Sequence, residues 1–178
     1  TSRDFNSSLQ KIVAKKNQKI ILDLRNDPGG YLESAIDLAS RMLPKGKTVV
    51  IEESQDKKQK SMYARGGDIA SDIPTVILIN EGSASASEIL AGALRDNRDN
   101  VRLVGEKSFG KGTVQEMERL KDGSTVKVSI SQWLTPNGSQ IDKKGLSPDI
   151  EVKISDDDLK NQKDPQLDKA LEVVKSAK

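Results

Sequence analysis

Among its 178 residues the sequence has no histidine and no cysteine, and only one Trp, two Tyr and two Phe. Without histidine there is no Ser-His-Asp triad. Without cysteine there is no thiol nucleophile and no disulfide framework, and the commonest zinc sites are excluded as well. Covalent catalysis by this chain alone leaves Ser, Thr, Lys, Tyr or a carboxylate as nucleophile, and Lys or a carboxylate as base. Aromatics at 3% are too few for a base-stacking platform, and a formal charge of +2 gives no pull toward polyanions, so no nucleic-acid partner is expected. No apolar run approaches the roughly 18 residues that span a membrane, and no signal-peptide pattern occurs, so the chain as it stands is expected to be soluble. The polar opening "TSRDFNSSLQ" reads as the middle of a longer chain, with any targeting segment upstream.

What remains is globular: 34% hydrophobic, 31% charged and of single-domain length. Strand-length apolar runs, "KIILDL", "TVVIEES", "TVILIN" and "VRLVGE", alternate with helical spacing in "SSLQKIVAKK", "YLESAIDLASRML" and "SEILAGALRDN". "STVKVSISQWLT" reads as an alternating strand after the turn "KDGS", and "PQLDKALEVVKSA" as a closing helix with proline at its start. The segment "QDKKQKSMYARGGD" reads as a polar loop, and "TVQEMERLKDGS" as a poor helix opening that soon runs into a turn. Strands alternating with helices predict an α/β domain built on a substantially parallel sheet.

Function in such a sheet gathers where strands end and helices begin. Three junctions carry unusual residues: "NDPGG" after "IILDLR", "NEGSASASE" after "TVILIN", and "GEKSFGKGT" after "VRLV". The spacing of Ser85 and Glu88 is that of a capping box, which gives Ser85 a purely structural reading as a helix start. The same place suits a nucleophile, because the amides and dipole of a helix N-terminus stabilise an oxyanion formed there, and Ala84 and Ala86 leave room for a substrate backbone. Lys111 lies between two glycines and beside Phe109. If it is shielded from water, it can serve as the base of a serine-lysine pair, since burial disfavours the charged form. A competing reading takes Gly105, Gly110 and Lys111 as a phosphate-binding loop, but Gly112 stands where a magnesium-binding Ser or Thr belongs.

Over most of its length, through "IILDLRNDPGG", "TVILINEGSASASEILAGAL", "VGEKSFGKGTVQ" and "LTPNGSQIDKKGLSPDI", the sequence resembles the carboxyl-terminal processing (tail-specific) proteases, serine peptidases of the S41 class. The resemblance implies a ClpP/crotonase-like spiral of β-β-α units, with residues 1–178 as the protease core. It also implies Ser85 as nucleophile, Lys111 as general base and Gln115 orienting the lysine. The oxyanion hole falls on the backbone amides of Gly30 and Ala86. Asp96 matches an aspartate counted with the catalytic set, but 11 helical residues put it roughly 16 Å from Ser85, which limits it to support. No metal or cofactor is implied. The implied partners are polypeptide substrates recognised near their C-terminal tails and a PDZ domain elsewhere in the full-length chain; the implied location is extracytoplasmic, in the bacterial envelope or periplasm. A catalytically inactive module that only binds chain ends stays open as the alternative.

Overall fold

The computed structural model describes residues 2–15 and 18–177. Its elements follow in the order α1 (Ser2–Val13), β1 (Ile20–Asp23), α2 (Leu32–Ser40), β2 (Thr48–Ser54), β3 (Gln59–Tyr63), β4 (Thr75–Ile79), α3 (Ala86–Asn97), β5 (Val101–Gly105), β6 (Thr113–Arg119), β7 (Thr125–Leu134), β8 (Ile150–Glu151), α4 (Asp156–Lys160) and α5 (Pro165–Ser176). The α/β class is as the sequence predicts, but the strands divide between two sheets. One has the order β1-β4-β5-β8 with parallel pairings, and the other has the order β3-β2-β7-β6 and is antiparallel.

Strand β4 lies at the centre of the parallel sheet and every one of its residues is buried, as a run of β-branched and aliphatic residues covered on both faces requires. Ile77 and Ile79 point into the main core, with Leu94 of α3, Ile36 of α2 and Leu9 of α1. Val76 and Leu78 point the other way, onto Ala170 and Val174 of α5. Helix α5 is held at both ends. Arg25, just past β1, pairs with Asp23 and reaches the α5 N-cap Asp164 at 2.9 Å, while Lys19 Nζ donates to the carbonyls of Lys175 and Ala177.

The polar-loop segment and the segment read as a poor helix opening both contain strands. β3 pairs with β2 across a tight turn closed by Ser54 and Lys58, with Lys57 at φ 64°. β6 pairs along β7 to form a hairpin whose outer part is exposed on both faces. Polar residues can occupy these edge positions because little of either strand is buried, so hydrophobic periodicity does not mark them. Helix α2 is also shorter than its apolar pattern. It ends at Ser40, and Met42 and Leu43 fill the core from the turn that follows.

Candidate active site

The strands leading to the three unusual junctions, β1, β4 and β5, are adjacent and parallel, so their following loops leave the same edge of the sheet. The loops are laced together there. Asn26 N–H donates to Asn80 Oδ1 at 2.8 Å, Ala84 N–H to the Asp27 carbonyl at 3.0 Å, and Phe109 N–H to the Ser83 carbonyl at 3.0 Å. The buried Ser83 hydroxyl donates to the Leu24 carbonyl at 2.7 Å and accepts from Asn80 N–H at 3.0 Å, fastening the second loop to the end of β1.

Ser85 stands on the turn from β4 into α3 with φ 59° and ψ −119°. A side chain other than glycine in that left-handed region costs on the order of 1–3 kcal/mol, and such residues cluster where function needs them. Ser85 is the N-cap of α3 and forms a capping box with Glu88. The firm bond of that box runs from Ser85 N–H to Glu88 Oε2 at 2.9 Å, whereas the hydroxyl makes no cap hydrogen bond of ordinary geometry. The capping box is therefore present, with its backbone half firmly bonded and the Ser85 hydroxyl set toward the Glu88 N–H without a hydrogen bond of ordinary geometry.

Glu88 does more than its place in the box suggested. It is 1% exposed, and besides Ser85 it accepts from the Ser108 hydroxyl at 2.5 Å, from Gly110 N–H at 2.8 Å and from Lys111 N–H at 2.9 Å. A buried carboxylate surrounded by donors is stable where an unpaired one would not be. It fixes the backbones of Ser85 and Lys111 to one point. The signal for it lay in the S-x-x-E spacing, but sequence alone did not show that the glutamate reaches a third loop.

Gly29, with φ 88°, lies against the Ser85 turn so closely that a Cβ there would sit 2.5 Å from Ala84 O and 2.7 Å from Ala86 N. Gly30 has open space around the corresponding position. The tight packing against the Ser85 turn is thus made by Gly29 and not by Gly30. Gly30 and Ala86 line a common cavity of about 330 Å³, with Leu24, Ala35, Leu38 and Leu90 as apolar wall and Tyr31 at its rim. Among the described residues neither the Gly30 nor the Ala86 N–H donates a hydrogen bond, Ala86 being the first residue of its helix. A second cavity of about 580 Å³ is lined by Pro28, Ala84, Phe109 and Lys111, so that of the two neighbours of Ser85 in the chain Ala84 lines one hollow and Ala86 the other.

The apolar cover expected over Lys111 is not formed. Phe109 is 66% exposed and Lys111 is itself exposed, its side chain lining the second cavity. Gln115 lies in β6 opposite Ser129 and is also exposed. Its side chain makes no hydrogen bond to Lys111 among the described residues. Asp96, near the end of α3, binds Arg95 Nε at 2.9 Å and accepts from Asn137 N–H at 3.1 Å, so it braces the turn after β7 and does not reach Ser85. The phosphate-loop reading of Lys111 fails, because strand β6 follows where that reading needs a helix N-terminus.

Comparison with known proteins finds relatives over most of the chain. The profile of Peptidase family S41 matches residues 1–152. The chain is 39% identical over 156 residues to the carboxy-terminal processing protease CtpA of Bacillus subtilis, covering 88% of this chain and 33% of that protein. It is 42% identical over 153 residues to a CtpA-like serine protease of Staphylococcus aureus, covering 85% of this chain and 31% of that one. The chain thus spans about a third of the length of the curated relatives it matches. Among solved structures, the photosystem II D1 C-terminal processing protease superposes with a TM-score of 0.76 at 35% identity, over 86% of this chain and 40% of that one. Mature CPAF, at 15% identity and a TM-score of 0.78, shares the fold. Matched along 152 residues by the family profile and superposable on a processing protease of that kind, the chain belongs to peptidase family S41.

Proposed function

We propose that this chain is the protease core, residues 1–178, of a serine endopeptidase that cleaves polypeptides near their C-termini. Ser85 is the nucleophile and Lys111 the base. Lys111 takes the Ser85 hydroxyl proton as Oγ attacks the scissile carbonyl, once substrate filling the second cavity supplies the cover that Phe109 does not, and the oxyanion is received by the N–H groups of Gly30 and Ala86. The C–N bond then breaks, the lysine returns the proton to the leaving amine, and water hydrolyses the acyl-enzyme to restore Ser85. Gln115 orients Lys111 through a hydrogen bond that forms only when substrate fills the cleft. The apolar cavity beside Ala86 takes an aliphatic side chain of the substrate. A PDZ domain elsewhere in the full-length protein and an extracytoplasmic location in the bacterial envelope complete the reading.

The observation that carries it is the left-handed Ser85 whose chain neighbours line two cavities, one shared with Gly30 and the other with Lys111. Cleavage of an unfolded protein substrate, followed for this chain, the full-length protein and Ser85→Ala, tests it together with labelling by a serine-directed acylating probe. Probe incorporation at Ser85 and loss of cleavage in the variant are the expected results. Absence of both labelling and cleavage in the full-length protein leaves the non-catalytic chain-end binder as the better reading.

A further inference from the structure

Behind the loop that carries Lys111 lies a third, larger cavity of about 800 Å³, open to solvent and separate from the hollows beside Ser85. Four cationic side chains line it, Lys57, Arg95, Lys107 and Lys144, against one carboxylate, Glu53. That carboxylate is already fully engaged: Lys57 Nζ at 3.0 Å, Gln59 Nε2 at 3.0 Å and Gln132 Nε2 at 2.7 Å all donate to it. Lys107 and Lys144 form no ion pair among the described residues, and Arg95 gives only its Nε to Asp96, leaving both terminal nitrogens undonated. Lys57 is balanced by Glu53 and Arg95 by Asp96, so the cavity holds two positive charges, those of Lys107 and Lys144, with no ion-pair partner among the described residues. Its wall is continuous with the candidate site. Lys107 precedes Ser108, whose hydroxyl binds Glu88 and accepts from the N–H of Leu146, another lining residue, at 2.6 Å.

We propose that this cavity binds an acidic stretch of polypeptide, a segment of the substrate away from the scissile bond, through Lys107, Lys144 and the free face of Arg95. The choice of a polypeptide as the anion rests on the peptidase reading; the choice of carboxylates rests on the charge of the lining. A volume of about 800 Å³ has room for several side chains, and guanidinium and ammonium groups pair with carboxylates through charge-assisted hydrogen bonds. Such a contact lowers the concentration at which acidic substrates bind without acting on the reacting carbonyl, so it separates in KM and leaves kcat unchanged.

The test uses Ser85→Ala protein, so that binding is read without turnover. Fluorescence anisotropy compares a labelled peptide rich in Glu and Asp with its Gln and Asn counterpart and with pyrophosphate as competitor. The acidic peptide is expected to bind about tenfold or more tightly than its neutral twin at low salt, and the difference to shrink as salt is raised. The double variant Lys107→Glu, Lys144→Glu is expected to lose that preference with an unchanged melting temperature, since both side chains are exposed. Equal affinity for the two peptides, an undiminished preference in the double variant, or pyrophosphate binding without peptide binding overturns the proposal. In protein retaining Ser85, failure to cleave any substrate would count against the peptidase reading alone, because the anisotropy comparison does not depend on it.

Discussion

Ser85 and Lys111 donate their backbone N–H groups to a single oxygen, Oε2 of Glu88, each at 2.9 Å. The other oxygen of the same carboxylate holds Ser108 and Gly110. One buried anion thus ties the turn after β4 to the loop after β5, and the distance between the proposed nucleophile and base is set by a group that itself takes no part in proton transfer.

Glu88→Gln is therefore expected to damage geometry more than its small change in shape suggests. A glutamine offers one accepting oxygen, and its NH₂ would face donors it cannot satisfy. Losing charge-assisted hydrogen bonds in a buried site costs on the order of 3 kcal/mol. The expected outcome is a lowered denaturation midpoint together with a fall in kcat of about a hundredfold, conversion of 3 kcal/mol being an upper bound on the latter. A variant with unaltered kcat would show that Glu88 serves stability only.

Gly29 and Gly30 separate backbone fit from oxyanion binding. Gly29→Ala places a Cβ against Ala84 O and Ala86 N in a left-handed backbone and is expected to destabilise the fold by several kcal/mol or to displace the Ser85 turn, with activity lost. Gly30→Ala meets nothing and keeps its N–H, so stability should be retained and activity should change far less. Thermal melts and initial rates on the two proteins check this; a harmless Gly29→Ala would contradict the close approach.

The acid limb of stability should contain a contribution from Glu53. Hydrogen bonds from Gln59, Lys57 and Gln132 draw its pKa from the ordinary 4.5 down to about 2. A carboxylate depressed in the folded state stabilises above its unfolded value, and that contribution fades as pH falls from about 4.5 toward about 2. Glu53→Gln is expected to flatten the pH dependence of unfolding within that window and to leave it unchanged near neutrality. Superimposable acid titrations of the two proteins would contradict the assignment.

Much of this was readable in the sequence because the parallel sheet is the part whose burial forces a pattern. "TVILIN" and "VRLVGE" must be apolar on both faces, and the residues after them are then delivered to one edge by the parallel topology. Ser85, Gly30, Ala86 and the backbone of Lys111 came together for that reason. β3 and β6 were missed because exposed edge strands impose no such constraint; Gln59 and Glu116 serve there as well as any valine. The cover over Lys111 was misjudged for a related reason. A phenylalanine beside a lysine suggests shielding, but Phe109 turns outward, and only the fold decides which way a loop side chain faces. Glu88 was placed correctly as a helix-cap partner, while its bonds to Ser108, Gly110 and Lys111 depend on a loop about twenty residues away in sequence and could not be read from local spacing.

The clearest discrimination between cap and nucleophile comes from Ser85→Gly. A cap of this type loses only a few tenths of a kcal/mol when serine becomes glycine, and Ser85 makes no ordinary cap bond from its hydroxyl to lose. Relief of the left-handed φ of 59° works in the opposite direction, by about 1 kcal/mol or more. The variant is therefore expected to be at least as stable as the parent while peptidase activity falls by several orders of magnitude, the pattern of a residue held under strain for function. Ser87→Ala is the fitting control, since its side chain makes no hydrogen bond among the described residues; Ser83→Ala is not, because the Ser83 hydroxyl bridges Leu24 and Asn80 and its loss would loosen the turn itself. Chemical denaturation and cleavage rates on all three proteins decide the matter. A Ser85→Gly protein that is less stable than its parent and still cleaves at a near-normal rate would make Ser85 a helix cap and leave the chemistry to another residue.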